Sequence, residues 1–216
     1  MKELLCLHGF LGSPDDFNFL KRSYKVIAPD LSSLVHLPYQ ELLATLRQTL
    51  CHNDFHILGY SFGSRLAARL YYDLDTNGKL ICLAGHLGLN TQYDKVVRKK
   101  FEDQQIELLN KVSEKEYLLK WNNLNLFSND TPILMGNFKQ AYYYFSNYGL
   151  SKQPYLIDRL RPLNEKIVFH YGELDQKYCD YARKYLIDFN VCYHTDKGHR
   201  LLQDHELVES ILMDYL

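Results

Sequence analysis

The stretch Phe55-His56-Ile57-Leu58-Gly59-Tyr60-Ser61-Phe62-Gly63, continuing through Ser64-Arg65-Leu66 to Leu70, decides the fold. Phe55 to Leu58 is short and apolar-rich, as a buried strand is, while Leu66, Leu70 and Tyr71 fall on one helical stripe. Between them stands G-x-S-x-G. Where a strand turns sharply into a helix, the glycines allow close packing and the serine hydroxyl is raised at the top of a sheet. The strand before and the helix after make Ser61 a candidate nucleophile or base.

Working outward, five more segments read as short buried strands: Glu3 to Leu7, Tyr24 to Ala28, Lys79 to Ala84, Lys166 to Tyr171 and Val191 to His194. Helical patterns lie between most of them, such as Leu42, Leu43, Leu46 and Leu50. Strand alternating with helix predicts an α/β fold, a parallel sheet of about six strands with helices on both faces. Ser13-Pro14-Asp15-Asp16 offers a capping hydroxyl, a proline for the first helical position and acids for the positive end of the dipole. Leu37-Pro38 is expected to open the next helix in the same way. A last helix from about Asp204 to Tyr215, with Leu207, Val208, Ile211 and Leu212 on one face, is expected to seal the sheet edge.

The rhythm breaks between His86 and Asn164, where no segment reads as a strand. Val97, Phe101 and Leu108, then Leu118 with Trp121, then Phe138 to Phe145 suggest helices instead. The expected organisation is a core of residues 1–86 and 165–216 and an inserted helical cap of residues 87–164. The basic Lys95 to Lys100 segment reads as a solvated helix face.

A serine hydroxyl needs an imidazole to take its proton and a carboxylate to orient that imidazole. Two strand ends supply candidates. One runs into Gly172-Glu173-Leu174-Asp175, the other into Thr195-Asp196-Lys197-Gly198-His199. Loops at the carboxyl ends of parallel strands meet on one rim, which would bring Ser61, Asp175 and His199 together. His194, inside a strand, and His205, inside the last helix, are less suited. Asp175 is preferred to Asp180 and Asp196 because it ends a strand just after a glycine turn. The first strand runs into His8-Gly9-Phe10, a turn whose N–H group, with that of the residue after Ser61, makes an oxyanion hole; the donors would be Phe10 and Phe62. With no H-E-x-x-H pair, no metal site is expected.

Composition narrows the partners. The 216 residues are 46% hydrophobic and 24% charged, and 25 Lys+Arg against 26 Asp+Glu leave a formal charge of −1. No block of like charge favours nucleic acid or an anionic membrane. Apolar runs such as Leu4 to Leu7 fall far short of the ~20 residues of a membrane span, and no signal peptide is legible, so a cytoplasmic location is expected. Cys6, Cys51, Cys82, Cys179 and Cys192 are odd in number and widely spaced, which reads as small buried hydrophobes and not as a disulfide framework.

Taken together, Leu7-His8-Gly9-Phe10, Gly59-Tyr60-Ser61-Phe62-Gly63, Asp175 and Gly198-His199 resemble the α/β-hydrolase superfamily. Four stretches resemble, more narrowly, the MenH family, menaquinone-pathway synthases that eliminate pyruvate to make 2-succinyl-6-hydroxy-2,4-cyclohexadiene-1-carboxylate. They are Leu7 to Gly12, Gly59 to Arg65, Gly85-His86-Leu87-Gly88-Leu89, and Gly172 to Tyr178. The resemblance implies a Ser61–His199–Asp175 triad in which the activated serine acts as a base, with no cofactor and a small anionic substrate bearing several carboxylates. It implies substrate contacts at Arg65, Arg98, Trp121 and Tyr60; a guanidinium suits a carboxylate because it can hold it by two parallel hydrogen bonds. The same machinery would serve a carboxylesterase or thioesterase working through an acyl-serine, which is the alternative reading. The sequence departs from the family after His199, reading Arg200-Leu201-Leu202 where a second histidine is usual, and at Tyr178, where phenylalanine is usual. The superfamily usually has two antiparallel strands before the His-Gly turn; here the first strand starts at about residue 3, so a wholly parallel sheet is expected.

Overall fold

A computed structural model describes residues 1–50 and 53–216. Six strands, β1 (Glu3–Leu7), β2 (Lys25–Ile27), β3 (Phe55–Tyr60), β4 (Leu80–Leu83), β5 (Ile167–Gly172) and β6 (Asn190–His194), form one sheet. Their order is β2-β1-β3-β4-β5-β6 and every pairing is parallel. The order reverses at β1 and β3, the place where an open parallel sheet leaves a crevice beyond its strand ends. The helices are α1 (Tyr39–Thr49), α2 (Phe62–Leu74), α3 (Gln92–Lys111), α4 (Glu114–Asn122), α5 (Ala141–Ser146), α6 (Ile157–Leu160), α7 (Gln176–Tyr185) and α8 (His205–Tyr215).

Side chains alternate across each strand, so the sheet has two apolar faces. Leu5, Leu7, Ile57, Cys82 and Phe169 point to the side covered by α1, α2 and α7, whereas Leu4, Cys6, Leu58, Ile81, Leu83 and Val168 meet Phe17, Leu20 and α8. Here the expectation for the last helix is corrected. Val208, Ile211 and Leu212 of α8 pack over the middle of the second face, because Leu58, Ile81 and Leu83 of the central strands need cover there. Residues 14–22 form 3-10 turns, with Asp16 accepting from the Ser13 N–H at 3.0 Å, and Pro38 stands just before α1 and not within it. Cys6, Cys82 and Cys179 are buried and Cys192 partly so; Cys51 lies outside the described residues.

Between β4 and β5 the described residues form α3 to α6 and no strand. The stripe expected on α3 is not its buried face: Val97 is 50% exposed, and the buried residues are Glu102 and Gln105. Tyr117 and Leu118 of α4 seat this insertion on Phe10 and Leu11 of the loop after β1. The insertion leaves and returns at one place. The Leu156 N–H donates to the Leu87 carbonyl at 2.7 Å, and Gly88, at φ 94°, lies so close to the Pro154 carbonyl that no side chain would fit. Among the described residues no helix is long and apolar enough to cross a membrane.

Candidate active site

Ser61 sits between β3 and α2 at φ 51°, ψ −109°, a backbone region that ordinary side chains rarely occupy. The turn is kept sharp by its glycines. A Cβ on Gly63 would overlap the Leu7 carbonyl, and one on Gly59 would lie 2.6 Å from the Ser64 Cα, so α2 can rest directly on β1 and fold back against β3 only because both side chains are missing. The Ser61 N–H donates to the Leu83 carbonyl at 2.8 Å, tying the strained residue to β4.

The Ser61 hydroxyl lies 2.9 Å from His199 Nε2, and His199 Nδ1 lies 2.6 Å from Asp175 Oδ2. A carboxylate can only accept, so Nδ1 carries the proton and Nε2 is free to accept from the serine. Asp175, at 3% exposure, stands ahead of α7, where its Oδ1 accepts from the Tyr178 N–H at 3.2 Å; His199 is 1% exposed. Burial of both groups makes their interaction stronger than it would be in water. Of the competing residues, Asp196 is exposed, Asp180 meets Gln176 and Arg183, His194 pairs with His170, and His205, though it lines a cavity that reaches Ser61, stacks on Phe19.

The His8-Gly9-Phe10 turn passes beside the serine. A Cβ on Gly9 would stand 3.7 Å from the Ser61 Cβ. His8 holds this turn in shape: its Nε2 accepts from the Leu31 N–H at 3.0 Å, so its Nδ1 donates to the Gly9 carbonyl at 2.8 Å. Burial keeps His8 below the usual imidazole range, so it stays neutral in that role. Among the described residues no hydrogen bond occupies the main-chain N–H of Phe10 or Phe62, and Phe62 opens α2, where the helix dipole adds positive potential.

Two cavities meet at Ser61, Phe10, Trp121 and Phe127. The larger, about 410 Å³, also takes in Arg65, Arg98, Lys177 and Tyr178; the smaller, about 200 Å³, takes in Tyr60, Leu11, Ile133, Met135 and Arg200. Arg65 comes from α2, one turn beyond Ser61. Its guanidinium lies 5.2 Å from the Phe62 ring, and its Nη1 is buried with no hydrogen-bond partner among the described residues. Burial, reinforced by the Arg98 charge, lowers it to about 10. Arg98 of α3 is held by Glu102, whose Oε1 accepts from Nε at 2.8 Å and whose Oε2 accepts from the Ser151 hydroxyl at 2.5 Å. Lys177 is pushed below the usual lysine range by burial and then by Arg98. Three cations facing one space repel, and an anion there would relieve both that repulsion and the unpartnered Arg65 N–H.

Ser61, His199, Asp175, Phe10, Phe62, Arg65, Arg98, Trp121 and Tyr60 are thus all drawn to one rim. Sequence reasoning passed over Lys177, although it lies two residues after Asp175 on the first turn of a helix. It also passed over Glu102, which holds Arg98 from one helical turn away, and Asp130, which holds the His199 loop from far along the chain.

No family model matches the sequence, and no curated protein matches it either. Among solved structures the chain is similar to MenH from S. aureus, with a TM-score of 0.83 and 20% identity over 100% of this chain and 93% of that one. It is similar to a carboxylesterase structure from the thaumarchaeon Nitrososphaera gargenis, with a TM-score of 0.70 and 16% identity over 99% and 89% of the two chains. A thermophilic esterase from Thermogutta terrifontis gives 0.65 and 16% over 100% and 89%. A shared fold at such identities leaves the chemistry to the site. The parallel sheet, the Ser61 turn and these likenesses agree on one architecture: the chain has the α/β-hydrolase fold.

Proposed function

We propose that the chain is a Ser–His–Asp enzyme acting on a small polycarboxylate, and that its reaction is the one the MenH resemblance implies, elimination of pyruvate to leave 2-succinyl-6-hydroxy-2,4-cyclohexadiene-1-carboxylate. The observation that carries this reading is the convergence of Arg65, Arg98 and Lys177 on the cavity that opens at Ser61. In this reading residues 87–164 act as a cap that brings Arg98 and Trp121 over the sheet, and the enzyme works in the cytoplasm.

His199 Nε2 takes the Ser61 proton, and the serine oxygen removes a proton from a ring carbon of the substrate. The electron pair left behind forms the ring double bond as the bond to the enolpyruvyl oxygen breaks. The departing enolate takes up a proton and becomes pyruvate. Asp175 keeps the imidazole in the accepting tautomer and stabilises its charged form. The Phe10 and Phe62 N–H groups face the substrate oxygen on which charge develops; one such donor is typically worth roughly 3 to 4 kcal/mol.

The test is pyruvate release from the cyclohexene substrate. Wild type should release it, and Arg65→Ala should raise KM by roughly 10- to 100-fold through loss of a charge-assisted contact. No release by wild type removes the lyase reading. The second reading, a carboxylesterase working through an acyl-serine, is favoured by one observation, a second cavity on the other side of Ser61 to which Leu11, Ile133 and Met135 contribute apolar surface. Turnover of short acyl esters with a trapped acyl-Ser61 would select it.

A further inference from the structure

The loop carrying His199 is fastened to the helical insertion, and we infer that Asp130 is a positioning residue that holds His199 in line with Ser61. The inference rests on the reading of Ser61 and His199 as a reactive pair. Asp130 follows the 3-10 turn Asn125–Phe127 and is far from His199 in sequence. Its two oxygens accept from consecutive main-chain groups: Oδ2 from the His199 N–H at 3.1 Å, Oδ1 from the Arg200 N–H at 3.0 Å. A side chain at 198 would overlap this carboxylate, so Gly198 is what lets it reach the loop.

Arg200 continues the tie. Its Nη1 donates to the Thr131 carbonyl at 2.6 Å, its Nη2 donates to Asn122 Oδ1 at 2.7 Å, and its guanidinium lies 4.2 Å from the Phe127 ring centre. Asn122 in turn pairs with the main chain of Ile133, donating to its carbonyl at 2.8 Å and accepting from its N–H at 3.1 Å. The Phe127 ring meets the His199 ring edge-on at 5.6 Å. Residues 122–133 therefore form a strap with the His199 loop bound to it at six hydrogen-bonded or ring contacts.

Two charge-assisted bonds to adjacent amides fix the orientation of a peptide, which one bond would not. Orientation is what His199 needs, because its ring must keep 2.9 Å to Ser61 and 2.6 Å to Asp175 at the same time. Asp130 touches neither reacting atom and acts through the main chain. Trp121, Phe127 and Ile133, at or within the strap, also line the cavities beside Ser61. Seating the insertion and aligning the imidazole are thus one event.

A fluorophosphonate probe tests this without any assumption about the natural substrate. The Ser61 oxygen attacks phosphorus, the P–F bond breaks, fluoride leaves, and the serine proton passes to His199 Nε2. On the full chain, Asp130→Ala should lower the limiting labelling rate by roughly 30- to 100-fold, the scale of an ångström misplacement, with little change in the half-saturating probe concentration. Asp130→Asn, which keeps one acceptor but turns an amide N–H toward the other main-chain donor, should recover only part of the rate. Ser128→Ala, an exposed change on the same strap, should label as wild type does. Wild-type labelling by both Asp130 variants overturns the inference and leaves the Ser61 reading standing, as does a change confined to half-saturation or an equal slowing by Ser128→Ala. If wild type labels no faster than Ser61→Ala, the reading of Ser61 falls and this inference with it. Should Asp130→Ala not fold, Asp130→Asn carries the test alone: a limiting rate slower by roughly 3- to 10-fold is expected, an unchanged rate overturning the proposal.

Discussion

At Gly63 the first turn of α2 lies so close to β1 that an added methyl would overlap the Leu7 carbonyl, whereas α3 of the insertion buries only Glu102 and Gln105. The sheet is held by apolar surface, with Leu4, Leu5, Cys6 and Leu7 all fully buried. The insertion adds one small apolar cluster, lends Tyr144, Ile157 and Leu160 to the core beneath it, and is otherwise held by many single polar ties. Glu102 reaches Ser151, Asp130 reaches the His199 loop, Asn137 donates to the Ser32 hydroxyl at 3.0 Å, and the Tyr148 hydroxyl donates to the Leu37 carbonyl at 2.7 Å. Burial of apolar groups is additive and insensitive to direction, whereas a polar tie depends on one partner and leaves a desolvated group behind when it breaks. The sheet should therefore tolerate change badly but uniformly, and the insertion should fail contact by contact.

Gly63→Ala strikes this contrast hardest. Backbone overlap should cost about 3 kcal/mol or more, read as a fall in the urea midpoint of the whole chain; a loss under about 1 kcal/mol would show that α2 does not rest on β1 as described. Glu102→Ala should come next. It strips a partner from Arg98 and Ser151, and with Arg98 still partly exposed to solvent about 2 kcal/mol is expected. Hydrogen exchange should show the loosening confined to α3 and residues 149–153. Loosening spread evenly into β3 and β4 would erase the distinction between the two regions.

The smallest effect examines the sheet's own polar exception. His170 of β5 and His194 of β6 approach to 2.9 Å, and burial, then the neighbouring His194, pulls His170 down to about 3. The unfolded chain takes up this proton near pH 6.5, while folded His170 remains neutral. The stability it contributes is therefore present at pH 7 and is lost progressively as pH falls from 6.5 toward 3. Between pH 7 and 5.5 the loss should be about 1 kcal/mol larger in wild type than in His170→Gln, by chemical denaturation at both values. Equal losses would mean that the imidazole is solvated.

The same contrast explains what could be read in advance. Strands such as Phe55 to Leu58 and Lys166 to Tyr171 are dense in apolar residues, and the glycines around Ser61 announce a turn that only a close-packed sheet needs, so the six strands and the meeting of Ser61, Asp175 and His199 were legible. Helix α3 was readable as a helix but not by face. Phe101 lines the cationic cavity and Val97 faces outward because the interior of α3 is polar, and no apolar period marks a buried glutamate. Asp130 and Arg200 leave no trace in any local pattern, since each acts on a segment about 70 residues away. Helix α8 shows the opposite limit. Its stripe was plain, but a stripe says that a helix is covered and not what it covers.

The stem at Leu87 and Leu156 has a consequence for how such a chain can change. Because the two ends of the insertion are already joined there, lengthening the stretch between them adds little closure entropy, roughly 0.6 kcal/mol for a doubling of a flexible loop. Along the chain, β4 and β5 meet only two adjoining ends of the insertion, whatever its length. Residues 89–153 are in that sense a cassette. Helices can be exchanged there, by descent or by grafting, to alter which molecule is admitted, while β4 and β5 keep their register, provided that residues 122–133 still hold the His199 loop.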